Sequence, residues 1–152
     1  MMLIYLGADH RGFKLKEALK YYLKEQGYEV ADLGNIVYDK GDDFPDFAAK
    51  VAKEVGLAPE QTKGILICGS GTGMAIVANK FKNVRAGLAM SPDQAHTCRH
   101  DDNINVLSLA ADFTSEDDAK NIVRVFLATP FGNEDRYRRR IEKISQIENQ
   151  ND

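Results

Sequence analysis

The chain has no apolar stretch long enough to cross a bilayer, no low-complexity tract, no internal repeat and no linker-like segment. A spanning helix needs about 20 consecutive apolar residues. The opening MMLIYLGADHRGF holds only a short apolar run with no basic segment ahead of it, so neither a membrane anchor nor an export or transit leader is expected. Cysteine is scarce, with Cys68 and Cys98 alone. Two thiols could pair, but nothing here resembles a secreted disulfide scaffold, and free thiols in a reducing cytoplasm are expected instead. Charge of one sign is not in excess either: the net charge is -3, which removes bulk attraction to nucleic acid or to a membrane surface. What remains is an ordinary soluble composition, 43% hydrophobic and 28% charged over 152 residues, enough for a single domain spanning 1–152 with its own core.

Strand-like runs alternate with helical patterns along the whole length. Strands are expected at Leu3 to Leu6, Glu29 to Leu33, Gly64 to Cys68, Val84 to Met90 and Ile104 to Leu109. Leu15, Ala18, Leu19, Tyr22 and Leu23 fall on one helical face, which Gly27 closes. Residues 34 to 45 read as a loop rich in Gly and Asp. Phe47, Ala48, Val51 and Val55 make the next helical stripe. Ser91-Pro92-Asp93 opens another helix, and Ser115 with Asp118 forms a capping box before a further one. Tyr137, Ile141, Ile144 and Ile147 mark a last helix over about 134–149, with a tail at 150–152 expected to fray. Strands alternating with helices predict an α/β fold with a parallel sheet covered on both faces. Ligands of such sheets bind beyond the carboxyl ends of the strands, where Asp9, His10 and Cys68 are expected to converge.

The densest chemistry lies in residues 64–79. An apolar run ends at Cys68, then Gly69, Gly71 and Gly73 alternate with Ser70 and Thr72, and an apolar helix follows. Strand, Gly-rich turn and helix together aim backbone N–H groups at one point and suit an anion, and a thiol at such a point can act as base or nucleophile. The spacing excludes common alternatives. It is G-x-G-x-G rather than a dinucleotide fingerprint, and no suitable acid follows the next strand. A Walker loop would need Lys after the last glycine, and a cysteine phosphatase loop would need Arg six residues past Cys68; Met74 occupies both positions. A tight turn with a structural cysteine remains the plain alternative.

Other polar groups admit two readings each. Asp9 and His10 either contact a ligand at the strand's mouth, or Asp9 caps the next helix and His10 is surface. His96 and His100 are four apart on an expected helix, a metal-ligand spacing, yet no H-E-x-x-H pattern completes it. An acid/base role for one histidine fits better; His100 stands beside Asp101, Asp102 and Asn103. Arg136 and Arg140 share a helical face, with Lys143 near it. Paired guanidiniums grip phosphate through planar donors, or they form a solvated face balancing Glu134, Asp135 and Glu142.

GADHRGF, ICGSGTGMAIVANK, RHDDNINVL and DRYRRRIEKI, in this order and spacing, resemble the ribose-5-phosphate isomerase B family, which includes allose-6-phosphate and galactose-6-phosphate isomerases. The resemblance spans nearly the whole chain. It implies a Rossmann-like three-layer α/β/α sandwich with a five-stranded parallel sheet, and dimers or tetramers of dimers with a site shared between subunits. The implied reaction is aldose–ketose isomerisation of a sugar phosphate through a cis-enediolate, without metal or nucleotide cofactor. Cys68 would be the base moving a proton between carbons 1 and 2; the branch that uses a glutamate at position 74 is not this one, since Met74 cannot act. His100 would open the furanose ring, with Asp101 beside it, and Ser70 would lie near the reacting centre. Gly69, Gly71 and Gly73 would supply N–H groups to the enediolate oxygen. Asp9 would contact sugar hydroxyls, and His10, Arg136 and Arg140 would hold the phosphate. Three positions depart from the family pattern: Asp101 stands for an asparagine, Phe44 for a tyrosine, and Asp112 for an arginine that contacts the phosphate. They bear on the preferred sugar more than on the reaction. Ribose 5-phosphate is the first expectation, with another sugar phosphate such as allose 6-phosphate, or a non-catalytic sugar-phosphate sensor, as alternatives.

Overall fold

The structure is a computed structural model and describes residues 2–151. Five strands, β1 (Leu3–Ala8), β2 (Glu29–Asp32), β3 (Thr62–Cys68), β4 (Ala86–Leu88) and β5 (Val106–Ala110), alternate with α1 (Phe13–Glu25), α2 (Phe44–Leu57), α3 (Thr72–Ala78), α4 (Pro92–Asp102), α5 (Glu116–Ala128) and α6 (Asp135–Gln150). The strands form one parallel sheet in the order β2-β1-β3-β5-β4.

Strand alternation sorts the core into two halves. Ile4, Leu6, Ile65, Ile67, Leu107 and Leu109 pack with α1, α4 and α5 on one face. Leu66, Cys68 and Val106 pack with α2 and α3 on the other. Parallel sheets need both faces covered because each central strand is buried on both sides, and β3 and β5 are buried at every position. The helices begin where the residues at their first turns dictate. Ser91 accepts from the Gln94 N–H at 3.1 Å and Ser115 from the Asp118 N–H at 3.1 Å, satisfying donors that lack a helical partner.

The ends of β1, β2, β3 and β5 shift by one or two residues from the sequence reading, and four differences are larger or bear on the site. β4 spans three residues rather than Val84 to Met90, because it pairs only with β5 and its approaches bond elsewhere: Arg85 N–H donates to Asn105 Oδ1 and Met90 N–H to Gln94 Oε1. Phe44 and Pro45, read as loop, form the first turn of α2, where proline's missing N–H is no loss. Asp9 is not the cap of α1; that position is Gly12. The tail is helical through Gln150, and Asp152 lies outside the described residues.

The chain leaves β1 through α1 to the edge strand β2 and returns through α2 on the opposite face to β3. The carboxyl ends of β1 and β3 therefore flank the point where strand order reverses, the position at which open α/β sheets bind ligands.

Candidate active site

Cys68 is the last residue of β3 and 5% exposed. The turn after it bends back so that the Gly71 N–H donates to Cys68 Sγ at 3.2 Å. Gly71 holds φ +75°, a conformation that favours glycine, and a Cβ there would meet Leu88 Cδ1 at 2.6 Å. The Gly71 carbonyl is pinned from below by the buried Ser108 hydroxyl at 2.5 Å. The loop is thus fixed by β5, and one of its N–H groups is aimed at the sulfur.

The mouth of β1 closes onto this loop. Asp9 is 5% exposed, and its Oδ1 accepts the Gly12 N–H at 3.1 Å. Gly12 lies so close to β3 that a Cβ would sit 2.3 Å from the Ile67 carbonyl oxygen. His10 turns its ring to Asp42, with Nδ1 2.7 Å from Oδ1, and its backbone N–H donates to the same oxygen at 3.0 Å. Asn35 Nδ2 donates to the other oxygen at 3.2 Å. Burial opposes ionisation of Asp42, but the hydrogen bonds from the His10 ring, the His10 backbone and Asn35 outweigh it and hold the carboxyl below its ordinary value. An ionised Asp42 keeps the proton on Nδ1 and turns Nε2 outward. Asp9, His10 and Asp42 have ligand-type atoms within 4.8 Å of one another, a cation-sized grouping whose members already bond to each other or to Gly12.

Two side chains lie across the glycines. A Cβ on Gly69 would meet the Arg11 guanidinium carbon at 2.4 Å, and one on Gly73 would meet Phe44 Cε1 at 2.5 Å. Arg11 pairs with Asp112, whose backbone N–H donates to the Gly69 carbonyl at 3.0 Å. Ser70 is exposed on this loop, and its hydroxyl accepts the Thr72 N–H at 3.4 Å.

The remaining candidates form a second group. His100 Nδ1 is 2.7 Å from Asp101 Oδ1. The ring stacks on His96 at 5.5 Å and meets Tyr137 edge-on at 5.4 Å. The hydrogen bond from His100, with a smaller one from Tyr137, keeps the Asp101 carboxyl below its ordinary range despite some desolvation. Arg136 lies 4.8 Å over the Tyr137 ring and donates to its hydroxyl at 3.0 Å. Arg140 is exposed one helical turn further along α6. The last turn of α4 carries His100 to the amino end of β5, where Asn105 N–H reaches the Arg85 carbonyl ahead of β4. Cys68 is at the carboxyl end of β3. The fold therefore brings Asp9, His10, Cys68 and the three glycines together at the carboxyl ends of the strands and places His100, Asp101, Arg136 and Arg140 toward their amino ends.

Residues 4–144 match the family model described as Ribose/Galactose Isomerase. The chain belongs to this family. Among its relatives, the probable ribose-5-phosphate isomerase B of Mycoplasma genitalium is 41% identical over 145 residues, covering 95% of each chain. Ribose-5-phosphate isomerase B of Escherichia coli K12 is 37% identical over 148 residues, covering 97% of each. A crystal structure of the Mycoplasma genitalium enzyme with bound ribulose-5-phosphate is similar at a TM-score of 0.95 and 40% identity over 97% of each chain. The type B enzyme of Trypanosoma cruzi is similar at 0.94 and 36% identity, covering 100% of this chain and 99% of that one. The sandwich expected of this family is the one found. Sequence reasoning missed Arg11, Asp42 and Tyr137: Arg11 stood inside a quoted motif and Asp42 inside a loop noted for its aspartates, but their roles arise from contacts distant in sequence.

Proposed function

We propose that the protein is a sugar-phosphate aldose–ketose isomerase interconverting ribose 5-phosphate and ribulose 5-phosphate through a cis-enediolate, acting in the cytoplasm as a homodimer or a tetramer of dimers. The observation that carries this reading is the buried Cys68 thiol receiving the Gly71 N–H at the sheet's reversal point, in a family whose member from Mycoplasma genitalium holds ribulose-5-phosphate.

A sugar α-proton is weakly acidic, so its removal needs a placed base and a stabilised oxyanion. Cys68 is the base: it takes the proton from carbon 2 of the open-chain aldose and returns it to carbon 1. The Gly71 N–H is directed at the sulfur and fixes its position, and the amides of Gly69 and Gly73 serve the enediolate oxygen. Asp9 aligns the sugar hydroxyls, and Ser70 lines the approach. His10, fixed by Asp42, presents Nε2 to the phosphate.

Ring opening falls to His100, positioned by Asp101, and the far side of the phosphate to Arg136 and Arg140. These groups stand toward the amino ends of the strands, away from Cys68 in the same chain, so a second copy supplies them. Phe44 leaves an apolar face over Gly73 and favours a second reading in which a hexose phosphate such as allose 6-phosphate is preferred.

The test is proton NMR in deuterated water with ribose 5-phosphate, then allose 6-phosphate. Ketose should form with deuterium appearing at the transferred position. Cys68→Ala should lower the rate about 10²–10⁴-fold, the usual range for a general base, while still binding substrate. Near wild-type turnover by Cys68→Ala would overturn the role of the thiol, and absence of turnover with both sugars would leave the sensor reading.

A further inference from the structure

We infer that Arg11 is an anion-binding residue of the Cys68 site, held in place by Asp112, and that its guanidinium grips the substrate phosphate; this rests on the sugar-phosphate reading above. Three observations converge on it. Arg11 follows His10 directly, on the turn that Gly12 presses against the Ile67 carbonyl, so its backbone is fixed relative to β3. Its guanidinium lies on Gly69, one residue past Cys68, in space that a Cβ would fill. Asp112 holds it there: the carboxylate pairs with one guanidinium nitrogen, while the Asp112 backbone is tied to the Gly69 carbonyl.

A guanidinium has five N–H donors, and one carboxylate occupies only one edge of the fork. The Arg11 side chain is 56% exposed, so its other edge is open to a ligand beside Gly69. The pair also explains how an acid is tolerated there. Asp112 is 33% exposed and would repel a phosphate dianion if bare. With Arg11 on it the charge is cancelled, and donors remain for the ligand. Asp112 is therefore a positioning residue whose effect depends on Arg11. Without its partner it turns from a support into an obstacle.

This dependence gives a test with a particular sign pattern. Steady-state kinetics with ribose 5-phosphate and competitive inhibition by inorganic phosphate are measured on wild type, Arg11→Ala, Arg11→Lys, Asp112→Asn and the Arg11→Ala/Asp112→Asn double variant. Loss of a charge-assisted contact predicts that Arg11→Ala raises both KM and the phosphate inhibition constant about 10- to 100-fold, with kcat within about threefold. Arg11→Lys keeps the charge but not the fork and should fall between. Adding Asp112→Asn to Arg11→Ala should recover part of the lost affinity, although Asp112→Asn alone does not improve the wild type.

KM and inhibition constants within about twofold of wild type in Arg11→Ala would overturn the proposal. So would a loss confined to kcat, or a double variant that binds phosphate no better than Arg11→Ala. Thermal stabilisation by inorganic phosphate reads the same site without turnover. If wild type turned over no sugar phosphate yet lost phosphate stabilisation on Arg11→Ala, the anion site would stand and the isomerase reading would fall.

Discussion

Lys63 stands second in β3, 8% exposed, at the amino end of the strand opposite Cys68. Burial, with the nearby positive charges of Arg99 and Arg85, lowers its pKa to about 8 against a smaller pull from Glu60. The folded state thus binds the Lys63 proton less tightly than the unfolded chain, whose lysine titrates near 10.5. Below about pH 8 both states are charged, and the cost of burying the ammonium is fully present. As pH rises from 8 towards 10.5 the folded form sheds its proton first, so this group's contribution to stability becomes more favourable. Lys63→Met, similar in length and uncharged, should therefore stabilise the fold at pH 7, by about 1–3 kcal/mol from the displacement of the pKa. That corresponds to a rise in Tm of several degrees, which should shrink when melting is repeated near pH 10. An unchanged or lowered Tm at pH 7 would show that the ammonium is solvated or paired.

Among the elements, α5 was the most legible in sequence. Ser115 and Asp118 announce its start, and Ala119, Ile122, Val123 and Phe126 turn to the core as their spacing requires. The cap is made by a single hydroxyl, so Ser115→Ala should cost about 1 kcal/mol and lower Tm by about 2–4 °C, with activity at room temperature unchanged; calorimetry and a rate assay check both. The strands β1, β3 and β5 were legible because they are buried runs. β4 was not, since an edge strand's length is set by its single neighbour and by the side chains of Asn105 and Gln94 that intercept its ends. The same holds at the site. Cys68 and the glycines announce themselves through local spacing, whereas Asp42 acts on His10 from 32 residues away and Asp112 reaches Arg11 from the far end of β5. Local pattern carries no trace of such pairs. α6 also leaves work undone: Tyr137 is its sole buried residue, while Ile144 and Ile147 are 46% and 59% exposed. They border a groove of about 760 Å³ against β4 that does not include Cys68.

At the scale of the whole molecule, the division of the candidate site between the two ends of the strands makes a prediction that no single chain can satisfy. If the partner lends His100, two inactive variants should repair each other. Cys68→Ala and His100→Ala, each nearly inactive alone, should regain activity when mixed and allowed to exchange subunits, because a mixed pair holds one site with both groups intact. Statistical mixing puts half of the dimers in that form, each with one of two sites working, so about a quarter of wild-type activity should return. No recovery after verified subunit exchange would mean that one chain completes its own site.

The helix that carries His100 is tied down at both ends, by the Ser91 cap at its start and by Asn103, in the left-handed conformation, at its close. Its 11 residues make it a ruler about 16 Å long, and His100 is a mark on that ruler. Adding or removing one residue between Asp93 and Arg99 would swing the imidazole about 100° around the axis, away from Asp101 and Tyr137 and from any neighbour it serves. The loop at 36–41 is exposed throughout, and its Tyr38 touches the site only edge-on, against His10 at 6.4 Å. The count of residues from Ser91 to Asn103 is therefore what fixes the bearing of the imidazole, and a change of length is borne more easily in an exposed loop than within this helix.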